Sequence, residues 1–356
     1  MWAEGEYISL SDDGYQALEP TTPQGRFAPP DTQAEREASA VPPAMNDGML
    51  IVDRSGNVAP LTRQADVVWR VPHGGRSIPL NQRFAQMWQL PRRLVNRLVA
   101  ESNLRGALKR QELDVFFQPQ ASLASGEIDG VEALVRWRHP TRGIILPETF
   151  VPLAEQTDLI LSLGIWVLRA ACAQNAEWIR SGMRPLRLAV NISARQLDQP
   201  GLADVVEAVL AETGLSSDRL ELEVTESATM RDPARSIKVL HDLRDLGLRI
   251  SMDDFGIGYS SLAHVKDLPL DTLKIDRSLI SGVTKSRSHA AIATAIVAMA
   301  NGMDLEVVAE GVETKGQLAF VKDICCHRYQ GFLLGRPEPA NQLSSLLQRT
   351  SSEQAA

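Results

Sequence analysis

Acidic and amide side chains recur at or near the ends of apolar runs in the C-terminal part of the sequence. Glu132 lies in the second run, Asn191 in the third, Glu223 in the fourth, and the pair Asp253-Asp254 ends the fifth. Each residue alone has an ordinary explanation as a helix cap, a turn residue or a solvated side chain. Carboxylate and amide oxygens are hard ligands that suit Mg²⁺ or Mn²⁺ better than zinc. Together they predict a divalent-metal site, provided that the fold brings these run ends to one place.

Three later runs carry further polar groups. Lys274 lies inside an otherwise apolar Leu-Lys-Ile stretch, and a buried ammonium there requires an anionic partner. Asp276 follows it, Glu310 and Glu313 follow the seventh run, and Gln330 precedes the eighth.

Apolar, strand-like runs alternate with helical patterns through this part of the chain. The expected strands are residues 114–117, 130–137, 186–192, 220–224, 248–252, 272–275, 305–309 and 331–334. The expected helices are residues 149–161, 165–181, 202–213, 232–246 and 288–301. This alternation predicts an α/β fold, a closed (β/α)8 barrel of the TIM type, in which strand ends share one mouth. An open doubly wound sheet is the alternative, but no Gly-rich dinucleotide loop opens an early helix.

The N-terminal region has a different composition. Residues 1–45 are rich in proline without periodicity and are predicted to be a disordered tail. Residues 46–95 contain a strand-like run at 48–52, a turn at 53–57 and a helical pattern at 81–91. These pieces resemble parts of a PAS sensor domain, and a shortened sensor and an irregular cap on the next domain are both open interpretations. Residues 92–109 are predicted to be a helix, 96–348 the barrel domain, and 349–356 a disordered tail.

Composition excludes several classes of protein. The sequence has 37 basic and 44 acidic residues, a net charge of −7, and 44% apolar residues. This balance argues against a wholly disordered chain, a polytopic membrane protein and a non-specific nucleic-acid binder, so we expect no DNA binding and no membrane span. An acidic N-terminus without a signal peptide and three cysteines without a Cys-x-x-Cys pair predict a cytoplasmic protein. Bound cations could still allow an acidic protein to act on a phosphorylated ligand.

The sequence around Glu132, Val-Glu-Ala-Leu-Val-Arg-Trp-Arg-His-Pro at 131–140, resembles the signature of the EAL-domain family of cyclic di-GMP phosphodiesterases. Other stretches resemble that family in the same order: residues 117–119, 190–193, 220–227, 253–262, 273–276, 309–314, 329–332 and 335–337. The resemblance extends from residue 104 to residue 347, which is nearly the whole predicted barrel.

The resemblance implies two divalent cations, Mg²⁺ or Mn²⁺. The implied ligands are Glu132, Asn191, Glu223 and Asp253 for the first ion, and Asp253, Asp254 and Glu310 for the second. Lys274 is then expected to orient or polarise the attacking water, and Glu310 is the expected proton acceptor. The residues implied to line the substrate cleft are Gln118, Arg136, Asp276, Glu313 and Gln330. Glu226 is expected to stabilise the loop at 254–262.

The function implied by the resemblance is hydrolysis of cyclic di-GMP to linear pGpG in bacterial signalling, which affects biofilm formation and motility. The alternative is a catalytically silent cyclic di-GMP receptor or a protein-interaction regulator on the same barrel. The resemblance also implies a homodimer that forms through the barrel at residues 254–271, and the N-terminal region is open to a signalling partner. Ile257 departs from the family pattern in the loop, and the adjacent Cys325 and Cys326 are either drift or a redox-sensitive pair.

Overall fold

The computed structural model describes residues 7–8, 49–52, 58–61, 72–73, 76–77, 92–256 and 265–353. The chain divides into two compact units, Met1–Arg110 and Gln111–Ala356. The helix predicted at 81–91, most of the predicted N-terminal tail and the loop position Ile257 lie outside the described residues.

The described residues of the N-terminal unit form short antiparallel strands and the long helix Arg92–Lys109. Met49–Val52 pairs with both Tyr7–Ile8 and Val58–Leu61, and Pro72–His73 pairs with Arg76–Ser77. The strand predicted at 48–52 is present at Met49–Val52, and the turn predicted at 53–57 lies outside the described residues. The helix Arg92–Lys109 has the predicted bounds.

The C-terminal unit is a closed barrel, as the sequence predicts. Its eight strands are β1 (Leu113–Ser122), β2 (Ile128–His139), β3 (Arg187–Ile192), β4 (Leu220–Thr225), β5 (Arg249–Phe255), β6 (Thr272–Ile275), β7 (Glu306–Ala309) and β8 (Arg328–Gln330). Strands β2 to β8 are parallel, whereas β1 is antiparallel to both β2 and β8. A tight connection at 123–127 joins β1 to β2, and an antiparallel hairpin needs no crossover helix.

The prediction for the last strand was wrong. Residues 331–334 form a turn, and the strand is the preceding Arg328–Gln330. A side chain at Gly331 would lie 2.2 Å from the Val312 carbonyl oxygen, so the chain needs glycine where it leaves the barrel. The apolar run after this glycine resembles a strand in the sequence, but Phe332 is exposed.

Helices surround the parallel strands. They are α1 (Pro147–Glu155), α2 (Leu159–Arg180), α3 (Ala194–Leu197), α4 (Leu202–Thr213), α5 (Glu226–Thr229), α6 (Pro233–Asp245), α7 (Arg277–Ile280), α8 (Arg287–Gly302), α9 (Lys315–Asp323) and α10 (Ala340–Glu353). The single helix predicted at 149–161 is broken between α1 and α2. The tail predicted at 349–356 is helical up to Glu353, because α10 begins further upstream and places Leu343 and Leu347 in buried positions.

Helix α2 is long and apolar enough to cross a membrane by length and composition. It packs on the barrel in this structure: the Trp178 ring lies edge-on to Phe117 of β1 at 4.9 Å, and Asn175 donates to the Leu186 carbonyl. Its apolar residues therefore form part of the core of the barrel unit.

Charged side chains close the N-terminal end of the barrel. Arg187 at the start of β3 pairs with Glu306 of β7 at 2.6 Å and with Glu221 of β4 at 3.2 Å. Arg249 at the start of β5 pairs with Glu306 at 3.2 Å. We call Arg187, Glu221, Arg249 and Glu306 the lower ion network. Because β3 and β7 are not adjacent, the network extends across the barrel interior.

Candidate active site

In three strands, a helix-capping residue follows the predicted site residue by two positions. Asn191 lies two residues before Ser193, whose side chain caps α3 together with Gln196. Glu223 lies two residues before Thr225, which caps α5, and Lys274 lies two residues before Asp276, which caps α7. A side chain two residues before a cap is at the C-terminal end of its strand. These three strands therefore present their site residues at the same end of the barrel.

Strand register completes the arrangement. Glu223 pairs with Asn191 on one side and Ser251 on the other, and Gln118 of β1 pairs with Glu132 of β2. The antiparallel β1 thus contributes a residue from its middle rather than from its C-terminal end.

The Lys274 ammonium lies at the centre of the site and is 1% exposed. Its Nζ atom is 2.7 Å from Glu310 Oε1, 2.8 Å from Glu223 Oε1, 3.3 Å from Asp253 Oδ1 and 3.6 Å from Glu132 Oε2. We call these five side chains the lysine cluster. The partner that the sequence requires for a buried lysine is therefore a group of four carboxylates.

Amide side chains hold Glu132 in place. Asn191 Nδ2 donates to Glu132 Oε1 at 2.9 Å, and Gln330 Nε2 donates to Glu132 Oε2 at 2.5 Å. Gln330 Nε2 also lies 3.2 Å from Gln118 Oε1, and Gln330 Oε1 accepts from Gln120 at 2.9 Å. The sequence analysis missed Gln120, although its spacing of two from Gln118 on a strand places both on the same face.

The lysine cluster contains four carboxyl groups and one ammonium, and full ionisation would leave an excess of three negative charges in a buried place. Burial raises the pKa of Glu223 well above its usual value, and the Glu132 charge adds to this effect. Burial also raises the pKa of Glu310 to about 8, against the lowering effect of Lys274. Burial favours neutral Lys274, but the surrounding carboxylates, Asp253 foremost, outweigh it and raise the Lys274 pKa well above its usual value.

The chemistry of these donors fits divalent cations. Both Glu223 carboxylate oxygens are buried, and the Lys274 ammonium lies 2.8 Å from Oε1. Asp254 follows at the rim with φ of 57°, and its pKa is raised by burial and by the Asp253 charge. Within the described ranges, no three His, Cys, Asp or Glu side chains are already arranged as a metal site, and Lys274 lies among the carboxylates instead. Added cations would offset the excess negative charge that raises these pKa values.

The other predicted site residues lie at different places around the mouth. The Arg136 guanidinium donates to the Val135 carbonyl at 2.9 Å and lies 5.7 Å from the Phe116 ring centroid, and burial lowers its pKa. Asp276 accepts from the Ser278 amide at 2.7 Å, and Glu313 pairs with Arg277 at 3.0 Å.

Glu226 is the first residue of α5, directly after β4. The part of the 254–262 loop that it is predicted to stabilise is outside the described residues from position 257 onward.

A cavity of about 730 Å³ opens beside the lysine cluster. Glu132, Asn191, Asp253 and Asp254 line it together with apolar residues of α1 and α2. Glu148 and Arg231 also line the cavity and were not predicted, because no strand end or motif marks them.

Comparison with known proteins gives a consistent result. A family model described as the EAL domain matches residues 101–337. The bifunctional diguanylate cyclase/cyclic di-GMP phosphodiesterase MucR of Pseudomonas aeruginosa is 47% identical over 241 residues, which are 68% of this chain and 35% of MucR. The cyclic di-GMP phosphodiesterase NbdA of the same organism is 46% identical over 259 residues, 73% of this chain and 33% of NbdA.

A solved structure also matches. The structure of the PaMucR phosphodiesterase in a c-di-GMP complex aligns with a TM-score of 0.67 and 47% identity. The alignment covers 68% of this chain and 99% of the PaMucR chain. The chain spans about a third of the length of the two curated relatives.

Proposed function

The chain belongs to the EAL domain family, and from that premise we propose that it is a metal-dependent phosphodiesterase that hydrolyses cyclic di-GMP to linear pGpG. The lysine cluster is the observation that carries this proposal, because its buried negative charge exceeds what Lys274 alone can offset. The matches to cyclic di-GMP phosphodiesterases support the substrate.

The proposed ligands are Glu132, Asn191, Glu223 and Asp253 for one ion, and Asp253, Asp254 and Glu310 for another. Bound divalent cations neutralise phosphate charge and lower the pKa of a coordinated water. Glu310 accepts the proton of the attacking water. Lys274 contributes a fixed positive charge toward the phosphate as negative charge develops during attack.

Polar groups around the mouth hold the substrate. We assign this role to Gln330, which donates to Glu132, and to Gln118, which accepts from Gln330. We assign the same role to Arg136, Asp276 and Glu313. An arginine suits a phosphate oxygen because its planar guanidinium donates two parallel hydrogen bonds. Glu226 stabilises the loop after Asp254, and a second copy of the chain binds at residues 254–271. The protein acts in the cytoplasm.

The test is chromatography of cyclic di-GMP incubated with the purified protein and Mg²⁺ or Mn²⁺. We expect pGpG to form with either metal, and we expect EDTA to stop the reaction. Binding of cyclic di-GMP without formation of pGpG under both metals would contradict the enzyme and support the alternative, a cyclic di-GMP receptor.

A further inference from the structure

The cavity beside the lysine cluster has two chemically different parts. One part of its lining consists of strand-end residues, among them Glu132 and Asp253 of the cluster, and another of apolar side chains of α1 and α2, including Val151, Leu163 and Val167. Apolar walls suit the flat face of a nucleobase, whereas a phosphate requires donors or cations. A nucleotide held at the lysine cluster by its phosphate can therefore place a base against the apolar lining.

Arg231 is the one basic side chain among the described residues that line this cavity. The acidic lining residues are Glu132, Glu148, Glu155, Asp253 and Asp254. A guanidinium in such surroundings is positioned to attract the hydrogen-bond acceptors of a ligand.

The backbone of Arg231 is held between two helices. It follows α5, and the next residue, Asp232, caps α6 by accepting from the Arg235 amide at 3.2 Å. The Arg231 side chain is 60% exposed, and its ion pair with Asp198 spans 4.0 Å, the outer limit for such a contact. An exposed pair of this length contributes little, so the guanidinium is available to a ligand.

We propose, on the basis of the proposed function, that Arg231 is a specificity-determining residue that recognises a guanine base in this cavity. Its guanidinium donates two hydrogen bonds to guanine O6 and N7, the acceptor pair that the arginine fork matches. Adenine presents an amino donor in place of O6, so a cyclic di-adenylate meets donor against donor and binds less tightly.

The experiment compares wild type with Arg231→Ala and Arg231→Lys on cyclic di-GMP, cyclic di-AMP and bis(p-nitrophenyl) phosphate, a phosphodiester without a base. For Arg231→Ala we expect the KM for cyclic di-GMP to rise about 5- to 100-fold while kcat stays near wild type. Hydrolysis of the base-free substrate should be unchanged, and Arg231→Lys should restore part of the discrimination against cyclic di-AMP, because an ammonium also donates to O6 and N7 but lacks the planar fork.

Arg235→Ala is the matched control. Arg235 is another exposed arginine of the same segment, it donates to the Asp198 carbonyl oxygen, and it is not among the cavity-lining residues. We expect its KM for cyclic di-GMP to match wild type.

The outcomes separate this inference from the proposed function. A wild-type protein that neither binds nor cleaves cyclic di-GMP contradicts the proposed function. If wild type binds without cleaving, titration calorimetry replaces KM, and Arg231→Ala should weaken the Kd by the same factor. An unchanged KM or Kd in Arg231→Ala, or an equal loss on the base-free substrate, would overturn the role of Arg231 alone.

Discussion

At the scale of single residues, Lys274 contributes both to the stability of the site and to the proposed reaction. Its ammonium partly balances four buried carboxylates, and in the proposed reaction it lies where charge develops. We expect Lys274→Ala to lower kcat about 10²- to 10³-fold. We also expect the variant to be destabilised in EDTA, since carboxylates without a counter-charge repel each other, and to recover more melting temperature than wild type on addition of Mg²⁺ or Mn²⁺.

Steady-state kinetics and thermal melts with and without metal measure these effects. Lys285→Ala, which removes an exposed lysine, is the control and should leave both kcat and the melting temperature unchanged. Near-native turnover in Lys274→Ala would contradict the role assigned to the lysine.

At the scale of elements, the C-terminus of α9 is strained. Cys325 follows the helix with φ of 62°, its amide donates to the Lys322 carbonyl, and the Cys326 amide donates to the Val321 carbonyl. This is the Schellman arrangement, in which glycine is the favoured residue at the left-handed position. We expect Cys325→Gly to raise the free energy of unfolding by about 0.5–1 kcal/mol and Cys325→Val to lower it.

Urea denaturation checks that prediction, and equal stability of the glycine and valine variants would contradict it.

The protonation of the thiols bears on the hypothesis that Cys325 and Cys326 are a redox-sensitive pair. Both thiols are free, and burial, reinforced by the neighbouring Cys325, raises the pKa of Cys326 to about 12. Cys326 is therefore not a reactive thiolate near neutral pH.

At the scale of the whole molecule, the lower ion network joins strands on opposite sides of the barrel. Burial opposes ionised Glu306, but its hydrogen bond and ion pairs with Arg187 and Arg249 outweigh this and lower its pKa. We expect Glu306→Gln to reduce the free energy of unfolding at pH 7 by about 1–2 kcal/mol, between the values for exposed and buried pairs. A lowered folded-state pKa gives stability that is present above the unfolded-state pKa, about 4.3, and lost as pH falls through the folded-state pKa.

The stability difference between wild type and Glu306→Gln should therefore shrink below about pH 4, as denaturation at several pH values would reveal. Glu212→Gln is the matched control, because Glu212 is exposed and pairs with Arg169 at 2.8 Å on the surface. A Glu306→Gln difference that is independent of pH would show that packing, and not charge, dominates at this end of the barrel.

The sequence alone determined the alternation of strands and helices and the identity of the residues at the strand ends. A strand of alternating burial and a helix with a cap leave local patterns, so α4 and the helix Arg92–Lys109 could be predicted to their observed bounds. The predicted barrel also implied that Glu132, Asn191 and Lys274 lie close together, because parallel strands end in a common mouth.

Only the tertiary structure decided the direction of β1, the position of β8 and the contents of the cavity. Strand direction depends on which strand edges pair, and this is not encoded locally. The apolar run at 331–334 looks like a strand in the sequence, but the close approach of Gly331 to Val312 ends the last strand before this run. Glu148 and Arg231 have no local signal, because their relation to the site arises from contacts between distant segments. The sequence thus names the chemical groups, and closure of the barrel decides which of them meet.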